Sequence, residues 1–230
     1  MLEQGLQLER SLFLLLNACH SAFWDNVMYI HSFTLTWVPF YLCFFFVFIS
    51  GKNWKEVVWV LAVLGLLILF CDQLSSGIAK PFFHRLRPTH HPDFKDLVHT
   101  VLGYRGGRYG FFSGHAANSF GFATLMSLMF RNKIFTVAIF VFAAVMSYSR
   151  VYLGVHFISD IAVGMLAGML IGWFAYELLI FGRRYWIKKS PGKLRKAIYP
   201  PRQAYRLTGV YVGMTVLILI FNNQIIKLIT

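Results

Sequence analysis

Hydrophobic residues run along most of this chain in segments as long as a bilayer is thick, and short polar stretches separate them. The breaks fall at GKNWK (51–55), a polar segment at about 79–113, RNK (131–133), a short turn near 152–156 and a basic stretch after 181. About 20 apolar residues are needed to cross a bilayer core. The pattern therefore predicts six membrane-spanning helices, at roughly 27–50, 56–78, 114–130, 134–152, 157–181 and 207–225.

Composition supports a membrane protein. Of 230 residues, 57% are hydrophobic and only 13% are charged, whereas a soluble domain has about 45–50% apolar and about 25% charged residues. We therefore predict an all-α polytopic membrane bundle that forms one integral-membrane domain, residues 1–230. The apolar run 12–24 is short for a span, follows acidic residues and has no small-residue cleavage site, so it predicts an amphipathic helix at the interface. An odd number of cysteines (Cys19, Cys43 and Cys71) argues against a disulfide framework.

The net charge of +13 is concentrated at one place. Nine basic residues lie in 183–206, at the end of a hydrophobic segment. Such a cluster is typical of the cytoplasmic membrane face and of anionic lipid headgroups, and it does not predict a nucleic-acid partner. The alternation of spans puts 51–55 and 131–133 on the same side as this basic loop. The segment 79–113 and the turn near 152–156 are then expected to face outward together.

The outward segment carries more positive charge than the positive-inside rule predicts. A phosphate ligand on this face would explain the excess. The basic residues concerned are Lys80, Arg85, Arg87, Lys95, Arg105 and Arg108.

Three motifs are expected to meet at this outer face, namely KPFFHRLRP (80–88), FSGH (112–115) and SRVYLGVHFISD (149–160). The first and third supply three cations, Lys80, Arg87 and Arg150. An arginine fork matches phosphate oxygens, and lysine acts as a point charge. The amides of Ser113 and Gly114 would open a helix, where free N–H groups and the helix dipole favour an anion.

Two histidines and a carboxylate complete the set. His156 and Asp160 are four residues apart, so on a helix they share one face. A carboxylate that holds one ring nitrogen leaves the other nitrogen free to attack. His115 can protonate a leaving oxygen. The residues together predict phosphoryl transfer through a nucleophilic histidine.

The three motifs resemble those of the type 2 phosphatidic acid phosphatase superfamily, which includes membrane lipid phosphatases and soluble vanadium haloperoxidases. The family pattern is Lys, six residues, Arg-Pro; then Pro-Ser-Gly-His; then Ser-Arg, five residues, His, three residues, Asp. Here Lys80, Arg87 and Pro88 match the first piece, and Ser149, Arg150, His156 and Asp160 match the third with both spacings intact. Phe112 replaces the usual proline of the second piece, which affects the turn and not the phosphate contacts. The predicted spans argue against the haloperoxidase branch.

The resemblance implies a role for each matching residue. His156 would form a phosphohistidine, Asp160 would orient it, His115 would protonate the leaving group, and water would release the phosphate. The phosphoryl oxygens would be held by Lys80, Arg87, Ser113, Gly114 and Arg150. Neither a metal nor another cofactor is implied.

The resemblance also implies a lipid phosphate as substrate, with undecaprenyl pyrophosphate and lipid A phosphate ahead of phosphatidylglycerol phosphate and phosphatidic acid. The expected location is a bacterial inner membrane, with the site facing the periplasm. Two alternatives stay open: a phosphotransferase that uses the same site, and a non-catalytic transporter of anionic lipids. The sequence does not decide between a monomer and a dimer.

Several residues of the outer segment carry weaker expectations. The loop YRGGRYG (104–110), with Arg105 and Arg108, could contact a headgroup or form a solvated turn. Asp72 is expected to support a polar partner such as Lys80. The glycines at four-residue spacing from 164 to 172 predict close helix contact inside the bundle. We interpret four histidines as loop residues and not as metal ligands: His84, His90, His91 and His99.

Overall fold

The computed structural model describes residues 2–186, 188 and 194–229. All regular secondary structure in these ranges is helical, and loops connect the helices. The described residues form no β-strand, only an isolated bridge between Leu86 and Tyr109. This confirms the predicted all-α class. The helices are α1 (Leu2–Asn17), α2 (Ala22–Ser32), α3 (Val38–Ile49), α4 (Trp54–Asp72), α5 (Lys80–Phe83), α6 (Gly114–Phe130), α7 (Lys133–Tyr152), α8 (Ile158–Tyr185) and α9 (Pro201–Ile229).

Among the described residues, four helices are long and apolar enough to cross a membrane. Three are α7, α8 and α9; in the fourth, α4 continues through a π-helical stretch, Gln73–Ala79, into α5. A fifth candidate is a bent pair made of α2 and the segment Thr34–Ile49. The remaining predicted span coincides with α6, which has 17 residues. The protein is therefore an integral membrane helical bundle, and the count of six spans stays a prediction.

The first predicted span, 27–50, is not one straight helix. α2 ends at Ser32, a short 3-10 helix covers Thr34–Trp37, and the two parts meet at an angle of 71°. Pro39 lies in the first turn of α3. Proline is tolerated there because first-turn amides have no partner within the helix; the chain leaves the helical conformation earlier, at Phe33, whose φ and ψ are extended. The break places the end of α2 near the motifs.

The boundaries predicted for the N-terminal helix were wrong. Instead of one helix over 12–24, α1 ends at Asn17 and α2 begins at Ala22. Ser21 starts the second helix by accepting a hydrogen bond from Trp24 N at 3.2 Å, as an N-cap residue does. Phe13 of α1 is fully buried against the outer segment and the ends of α7 and α8. α1 therefore covers the end of the bundle that carries the three motifs.

The glycines of α8 allow it to lie directly against α6, as predicted. A Cβ atom added at Gly164, Gly168 or Gly172 would lie 2.2–2.6 Å from a backbone oxygen of Ser113, Ala117 or Gly121. No side chain fits at that distance, so the two backbones touch. The contact brings the N-terminus of α6 beside that of α8.

Hydrogen bonds tie the basic connections together at one end of the bundle. Lys52 Nζ donates to Ile198 O at 2.6 Å, and Ile198 N donates to Met129 O at 2.8 Å. Arg183 is buried and paired with Glu56 at 3.0 Å. The connections after α3, α6 and α8 therefore share one end, and 84–113 lies at the other with the loop 153–157. Of the predicted basic loop 183–206, residues 187 and 189–193 lie outside the described residues.

Candidate active site

His156 and Asp160 form the buried centre of the outer end. His156 lies in the loop before α8, and Asp160 lies in the first turn of that helix. His156 Nδ1 is 3.4 Å from Asp160 Oδ2, and the same oxygen accepts from Phe157 N at 3.0 Å. Burial, followed by the charges of Arg87, Arg150 and Lys80, holds the pKa of His156 well below its ordinary value. The imidazole is therefore neutral at pH 7 and carries a free lone pair.

Asp160 has a second partner that was not anticipated. Arg85 Nη1 donates to Asp160 Oδ1 at 2.8 Å, and Arg85 Nη2 donates to Glu9 Oε2 of α1 at 2.7 Å. The other Glu9 oxygen accepts from Ser159 N at 3.0 Å. Arg85 thus bridges the carboxylate of α8 and the carboxylate of α1. Sequence reasoning left Arg85 without a role and missed Glu9, because no spacing rule connects α1 to α8.

Three cations surround this centre without a carboxylate of their own. The charge of Lys80 interacts with those of Arg87, Arg150 and Asp160. The side chains of Arg87 and Arg150 are only 8% and 3% exposed. In the described part of the chain, no carboxylate lies in ion-pair contact with Lys80, Arg87 or Arg150. Buried charge of one sign is costly unless a counter-ion is present, so the arrangement favours an anionic ligand.

Neutral groups hold the two arginines in place. Arg150 Nη1 donates to Ser32 Oγ, and Arg150 Nη2 donates to Tyr104 Oη at 2.9 Å. Arg150 Nε is buried and has no hydrogen-bond partner among the described residues. Arg87 Nε donates to Tyr109 O at 3.1 Å. Both guanidinium groups are thereby fixed, and unused donors remain for a ligand.

The N-terminus of α6 differs from the expectation at Ser113. Ser113 N donates to Asp160 O at 3.0 Å, and Ser113 Oγ accepts from Ala116 N at 3.4 Å. Ser113 is therefore an N-cap residue that joins α6 to α8, and its amide is already used. The first-turn N–H groups of Gly114 and His115 are the ones left for an anion. His115 lies close enough to interact electrostatically with Arg150, His156, Arg87 and Lys80.

The loop 104–110 surrounds Arg87 with its backbone. Arg87 N donates to Arg108 O at 3.1 Å, and Gly110 N donates to Arg85 O at 2.8 Å. Gly106 has a φ of +64°, and a Cβ there would lie 2.6 Å from Arg87 Nη1. The paired glycines of YRGGRYG could have signalled this close approach. The loop thus has a third role, beyond the two alternatives from sequence: it holds Arg87.

Other residues with weaker expectations lie around this centre. Arg105 and Arg108 have exposed side chains. Lys80 Nζ donates to Ser76 Oγ at 2.8 Å within the π-helical stretch, and the charge of Asp72 also interacts favourably with that of Lys80, as expected.

Two adjoining cavities meet at His115. One, of about 280 Å³, is called the polar chamber because Ser32, Tyr104 and Arg150 line it beside apolar residues such as Phe33. The other, of about 350 Å³, is an apolar groove between α3, α4, α6 and α7. His115 and Thr34 line both cavities. The chamber that contains Arg150 therefore adjoins an apolar groove at His115.

Comparisons with known proteins show the family of this chain. The family model of the PAP2 superfamily matches residues 56–183, more than half of the chain. A lipid A 4'-phosphatase of Porphyromonas gingivalis is 40% identical over 228 residues, which is 99% of this chain and 97% of that protein. One of Bacteroides thetaiotaomicron is 36% identical over 177 residues, 76% of this chain and 79% of that protein.

A solved structure shows the same architecture. The crystal structure of Aquifex aeolicus LpxE superposes with a TM-score of 0.56 at 26% identity, covering 73% of this chain and 93% of that chain. The matched region 56–183 contains all three motifs. The chain thus belongs to the PAP2 superfamily and is a membrane enzyme that hydrolyses lipid phosphates.

Proposed function

We propose that this enzyme removes a phosphate from lipid A through a phosphohistidine on His156. The observation that carries the proposal is the cluster formed by the buried Arg87 and Arg150 and the partly buried Lys80 around His156 and His115. A phosphate group supplies negative charge to this cluster of cations. One of its oxygens can also accept a hydrogen bond from Arg150 Nε, which has no partner among the described residues. The P. gingivalis relative, named as a lipid A 4'-phosphatase, supports lipid A as the substrate.

The reaction is proposed in two steps. Asp160 accepts a hydrogen bond from Nδ1–H of His156 and stabilises the positive charge that develops on the ring, while Nε2 attacks phosphorus and the bond to the sugar oxygen breaks. His115 gives its proton to that oxygen, and the charge of the bound phosphate favours a protonated His115 among the cations. Water then attacks phosphorus and gives a proton to His115, the N–P bond breaks, and inorganic phosphate leaves.

The three cations and the α6 amides stabilise the charge on the transferred group. In phosphoryl transfer that charge is spread over the equatorial oxygens. Lys80, Arg87, Arg150 and the N–H groups of Gly114 and His115 would hold these oxygens. None of these roles needs a metal ligand.

The apolar groove supports a lipid substrate. It starts at His115 and is lined by Tyr41, Phe44, Leu61 and Leu64, among others. A phosphate in the polar chamber would leave its lipid at the groove, where acyl chains can be buried. Undecaprenyl pyrophosphate is the second candidate, because it too combines a phosphate group with an apolar chain.

A substrate panel tests this proposal. We expect the purified protein in detergent with EDTA to release phosphate fastest from lipid A, compared with undecaprenyl pyrophosphate, phosphatidylglycerol phosphate and phosphatidic acid. Leu64→Trp should fill the groove and raise KM for lipid A on the order of tenfold, a loss of about 1.4 kcal/mol in binding. Hydrolysis of a water-soluble phosphate monoester by this variant should be unchanged.

Leu66→Trp is the matched control. Leu66 lies on another face of α4, in a cavity shared with α8, so its enlargement should not affect lipid A. Faster release from undecaprenyl pyrophosphate would reassign the substrate. An equal effect of the two tryptophans would exclude the groove as the lipid site.

Arg85 is proposed to position Asp160. We expect Arg85→Ala to lower kcat on the order of 10–100-fold, as loss of a residue that orients a reacting group typically does, with little change in KM. Arg85→Lys should restore part of the rate because it keeps the charge. Glu9→Gln should have a smaller effect, since an amide oxygen can still accept from Ser159 N.

Arg108→Ala serves as the control for Arg85, because the Arg108 side chain is exposed and only its backbone contacts Arg87. Kinetic constants for the four variants and circular dichroism spectra would be compared. A tenfold rise in KM for Arg85→Ala at unchanged kcat would assign Arg85 to substrate binding instead.

The site is proposed to face the periplasm, across the inner membrane from the basic connections. In a background in which the exposed Cys19 is replaced by serine, Asp96→Cys, in the outer segment, should react with a membrane-impermeant thiol reagent in intact cells whose outer membrane has been permeabilised. Lys133→Cys, at the opposite end, should react only after lysis. The reverse pattern would overturn the orientation.

A further inference from the structure

Two histidines and a carboxylate converge at the outer end, outside the candidate active site. They are His20 in the turn between α1 and α2, Asp25 in the first turn of α2, and His99 in the outer segment. His20 Nδ1 is 3.2 Å from Asp25 Oδ1, and His99 Nε2 is 3.5 Å from Asp25 Oδ2. We propose that His20, Asp25 and His99 bind a divalent transition-metal ion, zinc in particular, that fixes the outer segment to α2.

The donor set and spacing suit zinc. Imidazole nitrogens and a carboxylate oxygen bind Zn²⁺ at about 2.0–2.2 Å in a tetrahedral arrangement, and three protein ligands can leave the fourth position to water. Tetrahedral bonds of that length keep neighbouring ligand atoms about 3.4 Å apart. His20 Nδ1 and His99 Nε2 lie 3.2 and 3.5 Å from the two different carboxylate oxygens of Asp25, and one ligand atom from each of the three residues lies within 4.8 Å of the other two. The two imidazole rings stack with their centroids 3.4 Å apart, so a rotation of the exposed His99 ring would direct both nitrogens at one ion.

Surrounding residues hold the ligands in this arrangement. Tyr152 Oη donates to Asp25 Oδ1 at 2.7 Å. The buried Asn17 clamps the backbone of His99: its Nδ2 donates to His99 O at 3.2 Å, and its Oδ1 accepts from His99 N at 2.9 Å. His20 Nε2 has no hydrogen-bond partner among the described residues, so the ring directs its other nitrogen at the cluster. Such outer contacts are usual around metal ligands.

The ion would join parts of the chain that are distant in sequence. The turn before α2, the outer segment and the end of α7 meet at Asp25, His99 and Tyr152. Tyr104 follows His99 in the outer segment and holds Arg150 by a hydrogen bond. A metal here would thus restrain the wall of the polar chamber without contacting the phosphate. The inference does not depend on which lipid the enzyme hydrolyses.

Metal titration of the purified full-length protein tests the inference. After removal of metals with EDTA and exchange into chelator-free detergent buffer, we expect one equivalent of ZnCl2 to bind with micromolar or lower Kd. The thermal unfolding midpoint should then rise. CoCl2 should give the visible d–d absorption of a tetrahedral Co²⁺ site. His99→Gln should weaken binding at least tenfold and abolish this absorption, and its exposed side chain makes the substitution safe for folding.

His91→Ala is the matched control. His91 also lies in the outer segment beside a carboxylate, at 3.6 Å from Asp93, but no third metal-ligating residue among those described joins that pair. The His91→Ala variant should bind zinc and cobalt as the unmodified protein does. If the unmodified protein binds neither zinc nor cobalt, then His20, Asp25 and His99 form a hydrogen-bonded cluster and no metal site. Unchanged binding and cobalt absorption in His99→Gln would place the ion elsewhere, and either result would overturn the proposal.

Discussion

Substitution of His156 by alanine is expected to reduce phosphate release from the lipid substrate by at least about 10⁴-fold, the scale on which loss of a covalent nucleophile is measured. The neutral ring of His156 is directed at Asp160 by one nitrogen, which leaves the other as the proposed attacking atom. Folding should survive the substitution, because Asp160 keeps its hydrogen bonds from Arg85 and Phe157 N.

Two measurements establish the role of His156. Phosphate release is compared with that of His90→Ala, whose side chain hydrogen-bonds only to neighbouring Thr89 and which should stay within about twofold of the unmodified enzyme. Rapid acid-free quenching with radiolabelled lipid should trap an acid-labile phosphoprotein that is absent from His156→Ala. Activity of His156→Ala within tenfold of normal would exclude this nucleophile.

The same variant separates the rival functions. An anionic-lipid transporter would need only the cations, so His156→Ala should leave its lipid movement intact. A phosphotransferase would lose activity as the hydrolase does, but its product would be a second phosphorylated lipid instead of inorganic phosphate. Product analysis in the unmodified enzyme decides between these two.

The second large effect is expected at His115. Its substitution by glutamine should slow lipid A dephosphorylation by about 10²–10⁴-fold, the contribution typical of general acid–base catalysis. p-Nitrophenolate is a stable anion, so its departure does not require protonation by His115. The first turnover of p-nitrophenyl phosphate by His115→Gln should therefore be nearly normal.

Stopped-flow measurement of p-nitrophenol checks this expectation. A fast burst followed by a slow steady state is expected, because His115 is also the proposed base that activates water in the second step. The phosphohistidine should then accumulate and be detectable in this variant. Equal loss of the first turnover with both substrates would assign His115 to phosphate binding, with no proton transfer.

The sequence by itself determined the helical class, the membrane location and the membership of a family of lipid phosphatases. Long apolar runs have few alternatives to helices in a bilayer, because each backbone polar group must be paired there. Residue types, their spacing and the family resemblance together predicted the candidate site residues Lys80, Arg87, His115, Arg150, His156 and Asp160, whose catalytic roles stay a proposal. The glycine spacing of α8 likewise predicted a close helix contact.

Only the tertiary structure decided which groups share the site without sharing a motif. Glu9 and Arg85 meet Asp160 because α1 folds back over the outer end, and no local pattern encodes that return. Ser113 was expected to bind phosphate with its amide, yet the close approach of α6 and α8 gives that amide to Asp160 O. His99 looked like a loop histidine until the fold brought it to His20 and Asp25. In each case the residue has a partner that is distant in sequence. The spacing of residues along the chain constrains only neighbours on the same helix or turn, so it does not predict such a partner.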